Sequence, residues 1–137
     1  MSAFVRTEGV GLTYVRIRVS KDIGGTAIAA RVLVDTGASY TMLRRDLLSR
    51  LSIVPRERRR VRLGDGRVVE RETGIAHVWY RGRVTPTWVL FGESGDASLL
   101  GVVTLEELSL RVNPKSRTLE EVDVHPMVRA VDASSLP

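Results

Sequence analysis

Residues 31–39 read RVLVDTGAS, an apolar strand that runs directly into a carboxylate, a hydroxyl and a glycine. Asp is poor in strands and costly to bury. Gly marks a sharp turn or a close approach of other atoms. The apolar strand therefore stops at Val34, and Asp35 is either a turn residue accepting backbone N–H bonds or a working acid. The rest of the chain has to discriminate between the two.

The flanking sequence is a series of short strands. TYVRIRVS alternates, with Val15, Ile17 and Val19 on one face and Tyr14, Arg16 and Arg18 on the other. KDIGG is a hairpin signal, and TAIAARVLV is a second, more apolar strand. After the DTG segment, RRDLLSRLSI puts Leu47, Leu48 and Leu51 on one helical face, and Pro55 ends that piece. RVRLGDGRVVERETGIAHVWYRG reads as strand, tight turn and long strand, with Gly64, Asp65 and Gly66 in the turn. TPTWVLFG is a further strand, and ASLLGV is a short apolar run stopped by Gly101. TLEEL gives a helical turn or two, with Thr104 as N-cap and Glu107 as its capping-box partner. SLRVNPKSRTLEEV is a last hairpin, turned at Asn113 and Pro114. The pattern predicts a mostly β chain, a small closed or folded-over barrel with one or two short helices. The 137 residues suffice for one core, expected over residues 1–124 with a tail over 125–137.

Composition removes several chemistries. There is no Cys, hence no disulfide, thiolate nucleophile or cysteine-ligated metal. His77 and His125 are too few and too scattered for a histidine metal site, and no Ser elbow accompanies His77 for a Ser–His pair. No metal and no cofactor are expected. No run of about 18 apolar residues exists to span a membrane. The N-terminal MSAFVRTEGVG lacks the apolar core of a secretory signal, so the cytoplasm is the expected compartment. The net charge of +5 is concentrated in RERRRVR, residues 56–62. Glu57 interrupts that run and no aromatic side chain lies nearby for base stacking. It is read as a solvated strand edge, and nucleic acid is not expected as a partner. Trp79 and Trp88 are read as core and not as pocket walls.

Four features occur in a fixed order: LVDTGAS, the hairpin LGDGRVVERETG, the apolar-apolar-Gly LLG, and the LEEL helix behind it. In order and spacing they resemble the retropepsin-like aspartic proteases, single-domain relatives of retroviral protease, and above all their small prokaryotic members. The resemblance covers roughly residues 14–122. It implies a retropepsin-like β-barrel and an aspartic endopeptidase that hydrolyses peptide bonds with a water activated by two carboxylates. It implies that Asp35 is the catalytic acid/base, that Thr36 reaches across a dimer axis and that Gly37 shapes the loop. It also implies that Gly64, Asp65 and Gly66 form the tip of a flap over an extended peptide. That tip is charged, where many retroviral relatives carry an apolar one. Asp22, Asp65 and Asp96 all sit in turns, so a second catalytic carboxylate has to come from a second copy in a C2 homodimer. Two other functions stand beside this one. One is a non-catalytic module of the same fold that binds peptides or dimerises; the other is a basic β-barrel that binds nucleic acid. An intact Asp-Thr-Gly speaks against the former, since a pure binder gains nothing from a costly carboxylate pair.

Overall fold

The computed structural model describes residues 12–122. The tail expected over 125–137, with His125, lies outside them. Strands β1 (Tyr14–Ser20) and β2 (Ala27–Val34) pair antiparallel around the KDIGG turn, from Tyr14↔Leu33 to Ser20↔Ala27. The alternation in β1 is the expected one: Ile17 and Val19 are buried and Tyr14, Arg16 and Arg18 face out. β2 then lies parallel to the two-residue β7 (Leu99–Leu100), which lies antiparallel to β3 (Thr41–Arg44) at Met42↔Leu99. β3 runs parallel to β6 (Arg83–Gly92), and β6 pairs antiparallel with the thirteen-residue β5 (Val68–Tyr80). The far end of β5 returns to β1, from Arg18↔Trp79 to Ser20↔His77. The pairings thus come back to the strand on which they began. β4 (Glu57–Arg62) hangs on β5 alone and is an edge strand, which is where the arginine run was expected.

The core lies inside this circuit, built from Ile17, Val32, Leu43, Val78, Val89 and Phe91 among others, and closed at its ends by the helices. α1 (Arg45–Arg50) contributes Leu48, and α2 (Val102–Glu107) contributes Leu105. A last hairpin, β8 (Leu110–Asn113) and β9 (Thr118–Glu121), adds Leu110 and Leu119. Its turn is held as expected by Asn113, whose Oδ1 accepts the N–H groups of Lys115 and Ser116. No helix among the described residues is long and apolar enough to cross a membrane.

Three local expectations need correction. β3 was not anticipated, because TMLR is short and buried on both faces and so shows no alternation. α1 stops at Arg50, well before Pro55. Ser52 takes a positive φ of 59°, and the Ile53 N–H turns back to the Leu48 carbonyl at 3.0 Å. Thr104 is not an N-cap. α2 starts at Val102 behind Gly101 with no side-chain cap, and Thr104 is fully buried. Backbone replaces the cap: the N–H groups of Val102 and Val103 donate to the carbonyls of Ala38 and Ser39 at 2.8 and 3.1 Å.

Gly101 is the tightest contact in this arrangement. A Cβ there would stand 2.5 Å from the carbonyl carbon and oxygen of Tyr40 and 2.8 Å from the Ser39 oxygen, all backbone. Its φ of −89° suits any residue, so the demand is steric. Gly101→Ala should cost about 3 kcal/mol in urea denaturation, whereas Gly24→Ala, with nothing within 4 Å, should cost under about 0.5 kcal/mol. Equal midpoints for the two variants would show that the two segments are not in contact.

Candidate active site

Asp35 follows β2 directly. Its N–H donates to the Leu100 carbonyl at 3.0 Å, which extends the β2–β7 pairing by one residue. The chain then turns, with the Ala38 N–H on the Asp35 carbonyl at 3.0 Å. The carboxylate is fixed within that turn, Oδ1 accepting the Gly37 N–H at 2.9 Å. A Cβ on Gly37 would stand 3.2 Å from the same oxygen. Asp35 is half-buried, while Thr36 and Gly37 are exposed.

Behind the turn lies a group of threonines that sequence reasoning missed. The Thr41 and Thr104 hydroxyls are 2.7 Å apart, and Thr87 Oγ1 is 3.2 Å from Thr104. Thr41 Oγ1 also accepts the Gly101 N–H at 3.0 Å. All three side chains are buried, yet among the described residues no buried side-chain polar atom lacks a partner. Hydroxyls can chain in this way because each donates once and accepts twice. The signal in the sequence was a Thr set against apolar residues in three places, TMLR, TWVLFG and VVTLEE.

Asp35 opens onto a cavity of about 550 Å³, within the usual range for a ligand site. One wall is residues 37–40 with Leu99, and the opposite wall is residues 60–64 of β4 and its turn. Met42, Leu63 and Leu90 form an apolar cluster beside it, with Tyr40, Val61 and Val69 packed against them. Asp35, Gly37 and Gly64 are thus brought to one cavity, and Thr36, Asp65 and Gly66 lie outside its lining. The 64–66 tip is a tight turn: Gly66 has φ +92° and donates to Leu63 O at 2.9 Å, and Leu63 N–H closes on Arg67 O at 2.8 Å. Asp65 caps it. The Arg67 backbone N–H and then its guanidinium hold the Asp65 carboxyl below its ordinary range. Neither tryptophan lines the cavity, and neither is fully buried: Trp79 donates to Ser20 Oγ at 2.8 Å, and Trp88 lies 5.1 Å under Arg59. His77 contacts the Lys21 carbonyl, away from Asp35. Among the described residues no group of three or more His, Asp or Glu is placed to hold a metal.

Asp96 is the second carboxylate on the cavity wall, and it does more than cap a turn. Arg71 grips both its oxygens, at 2.8 and 3.1 Å, and Oδ2 also accepts the Glu93 N–H at 2.8 Å. Its side chain is only 8% exposed. Burial pushes this carboxyl up, but the Arg71 guanidinium and the Glu93 N–H outweigh it and hold Asp96 below the usual carboxylate range.

A family model described as aspartyl protease matches residues 19–104, more than half of the chain. The match runs from the end of β1 to Thr104 in α2, and so includes Asp35, the 64–66 turn and Gly101. No curated protein matches the chain.

The Asp96–Arg71 pair makes stability depend on pH. Because the folded pKa of Asp96 lies below the unfolded value of about 4, its stabilisation is complete above that value. It is lost as pH falls through the folded pKa. Asp96→Asn should therefore lose about 3 kcal/mol at neutral pH, by leaving Arg71 unpaired. The gap to wild type should narrow in acid, measured by denaturation at a series of pH values. A gap independent of pH would mean that the pair is not ionised.

Proposed function

The chain belongs to the aspartyl protease family, and we propose that it is an endopeptidase whose catalytic unit is a homodimer sharing one Asp35 from each copy. The supporting observation is that, among the described residues, one chain offers a single uncommitted acid at its cavity. Asp35 gives one oxygen to Gly37, whereas both oxygens of Asp96 are engaged by Arg71. Peptide hydrolysis without a metal or a protein nucleophile needs a base for the attacking water and an acid for the carbonyl oxygen. Two adjacent carboxylates holding one proton supply both, since like charges about 3 Å apart do not both ionise. The ionised carboxylate takes a proton from water as its oxygen attacks, and the protonated one gives its proton to the carbonyl oxygen. As the tetrahedral diol collapses, the first carboxyl gives its proton to the leaving nitrogen and the second takes one from a diol hydroxyl. The C–N bond breaks, amine and acid are released and the pair again holds one proton. Thr36 and Gly37, exposed beside Asp35, are the surface on which the second copy would close, with Thr36 reaching across the axis. Gly64, Asp65 and Gly66 would be the tip of a flap over the bound peptide. The reading needs no cofactor.

Asp35→Asn should lower turnover of an unfolded protein substrate by about a hundredfold or more and leave the fold as stable as wild type, or more so. Specific activity of wild type should fall on dilution, because a lone chain holds half of the pair. Adding Asp35→Asn chains should poison wild type beyond their share of the mixture once subunits exchange. Activity that scales only with the wild-type fraction, from a particle of monomeric mass, would place a complete site in each chain. Unimpaired binding of peptides with no turnover at any acidic pH would leave a binding module.

A further inference from the structure

Among the described residues β4 pairs with β5 alone and leaves an open sheet edge, and it also lines the cavity that holds Asp35. The pair Leu63 and Arg67 is hydrogen-bonded, through the Leu63 N–H. Antiparallel pairing alternates, and the β4–β5 register sets Arg62 against Val68 and Arg60 against Glu70. The backbone N–H and C=O groups of Arg60 and Arg62 are therefore the ones turned away from β5, toward the open edge. Their side chains share the outer face of the ribbon, while Val61 packs inward on Met42, Leu63 and Leu90.

The charges on this edge are unequally committed. Arg58 donates to Glu70, Arg59 to Glu57 and Arg67 to Asp65. Among the described residues Arg60 makes no hydrogen bond or ion pair to a carboxylate, and Arg62 donates only to the Gly66 carbonyl, at 3.0 Å. The carboxylate opposite Arg60, Glu70, is already engaged by Arg58. Arg60 and Arg62 thus stand two residues apart, about 7 Å along the strand, on the cavity that also holds Asp35. A peptide added to this edge would place alternate side chains outward against them and the intervening ones inward on the apolar cluster.

We infer that the β4 edge makes Arg60 and Arg62 specificity-determining residues, selecting extended peptides in which acidic and apolar residues alternate. This rests on the reading of the Asp35 cavity as a substrate cleft. Arg suits the role because it stays charged at every pH at which a carboxylate pair can hold one proton.

The test uses short fluorescent peptides of alternating Glu and Val, with Gln/Val and Lys/Val counterparts. Binding is read by anisotropy on the Asp35→Asn chain, and cleavage by mass spectrometry on wild type. The Glu peptide should bind about tenfold more tightly than the Gln peptide, the effect of two partly exposed charge pairs, and the Lys peptide more weakly than either. The difference should shrink at about 0.5 M salt. Arg60→Gln with Arg62→Gln should equalise Glu and Gln peptides. Arg60→Glu with Arg62→Glu should turn the preference to Lys, which a merely weakened fold does not do. Equal binding of Glu and Gln peptides, a preference that survives the double substitutions, or no binding at all overturns the inference. Cleavage by wild type without regard to charge overturns it too and leaves the protease reading standing. Charge-selective binding with no cleavage does the reverse.

Discussion

The loop that carries Asp35 and the β7–α2 junction share a space too small for one methyl group. Gly101 is what permits this, with its Cα hydrogen face against the carbonyl of Tyr40. Once the two segments are that close, their backbones satisfy each other. Asp35 N–H reaches Leu100 O, Gly101 N–H reaches Thr41 Oγ1, and the first two N–H groups of α2 reach Ala38 O and Ser39 O. A six-residue helix has little stability of its own, and a loop such as 35–40 has less. Joined, each supplies the partners that the other lacks. The threonine chain behind them, Thr41 to Thr104 to Thr87, anchors the junction to β3 and β6. Asp35 is therefore held by a scaffold that reaches across the sheet, and the carboxylate itself needs only one short bond to Gly37.

Ion pairs divide the β4–β5 hairpin into a fixed base and a free end. At the base Arg71 joins Asp96, and Arg45 of α1 reaches both Glu72 and Glu93. Arg71 and Asp96 are nearly buried, so removing either partner costs far more than breaking one of the surface pairs elsewhere. Val61, Leu63 and Val69 still pack in the apolar cluster with Met42 and Leu90. Only at the tip are the polar contacts local: the turn bonds of 63–67 and the Asp65–Arg67 pair. Few long-range contacts mean a low cost of local opening. The tip beyond Leu63 is thus the part of the hairpin least tied to the rest, while its base is pinned.

What was legible in the sequence was whatever repeats locally. Alternation gave β1, the KDIGG turn gave the first hairpin, and the position of Asp35 after an apolar strand pointed to the candidate site. Two glycines flanking Asp65 marked the hairpin tip. What failed to show were elements defined by distant partners. TMLR is a strand only because β6 and β7 lie on either side of it. Thr104 had every local sign of a cap, yet its hydroxyl found Thr41, 63 positions away. Asp96 looked like a turn residue, and it does accept a turn N–H, but Arg71 from another strand decides its chemistry. No rule of spacing connects these pairs, since the fold alone brings them together.

The same constraint, charge in a partly dry setting, sets an acid floor for the whole molecule. Asp96 must stay ionised to keep Arg71 paired, and its lowered pKa extends that pairing below the ordinary carboxylate range. A carboxylate pair that works with one proton has its own acid limit, reached when the second proton binds. Glutamates of a peptide on the β4 edge would lose their charge near pH 4, and with it their attraction to Arg60 and Arg62. Arginine does not titrate in this range, and the chain relies on it almost alone for positive charge, with only Lys21 and Lys115 as lysines. The basic side of every such interaction is therefore constant, and pH acts only through carboxylates. Of these, Asp96 is buried against its partner and a peptide glutamate is not. On the proposed reading, substrate attraction would fail at a higher pH than the Arg71–Asp96 pairing, and acid would weaken selection before it loosens the base of the hairpin.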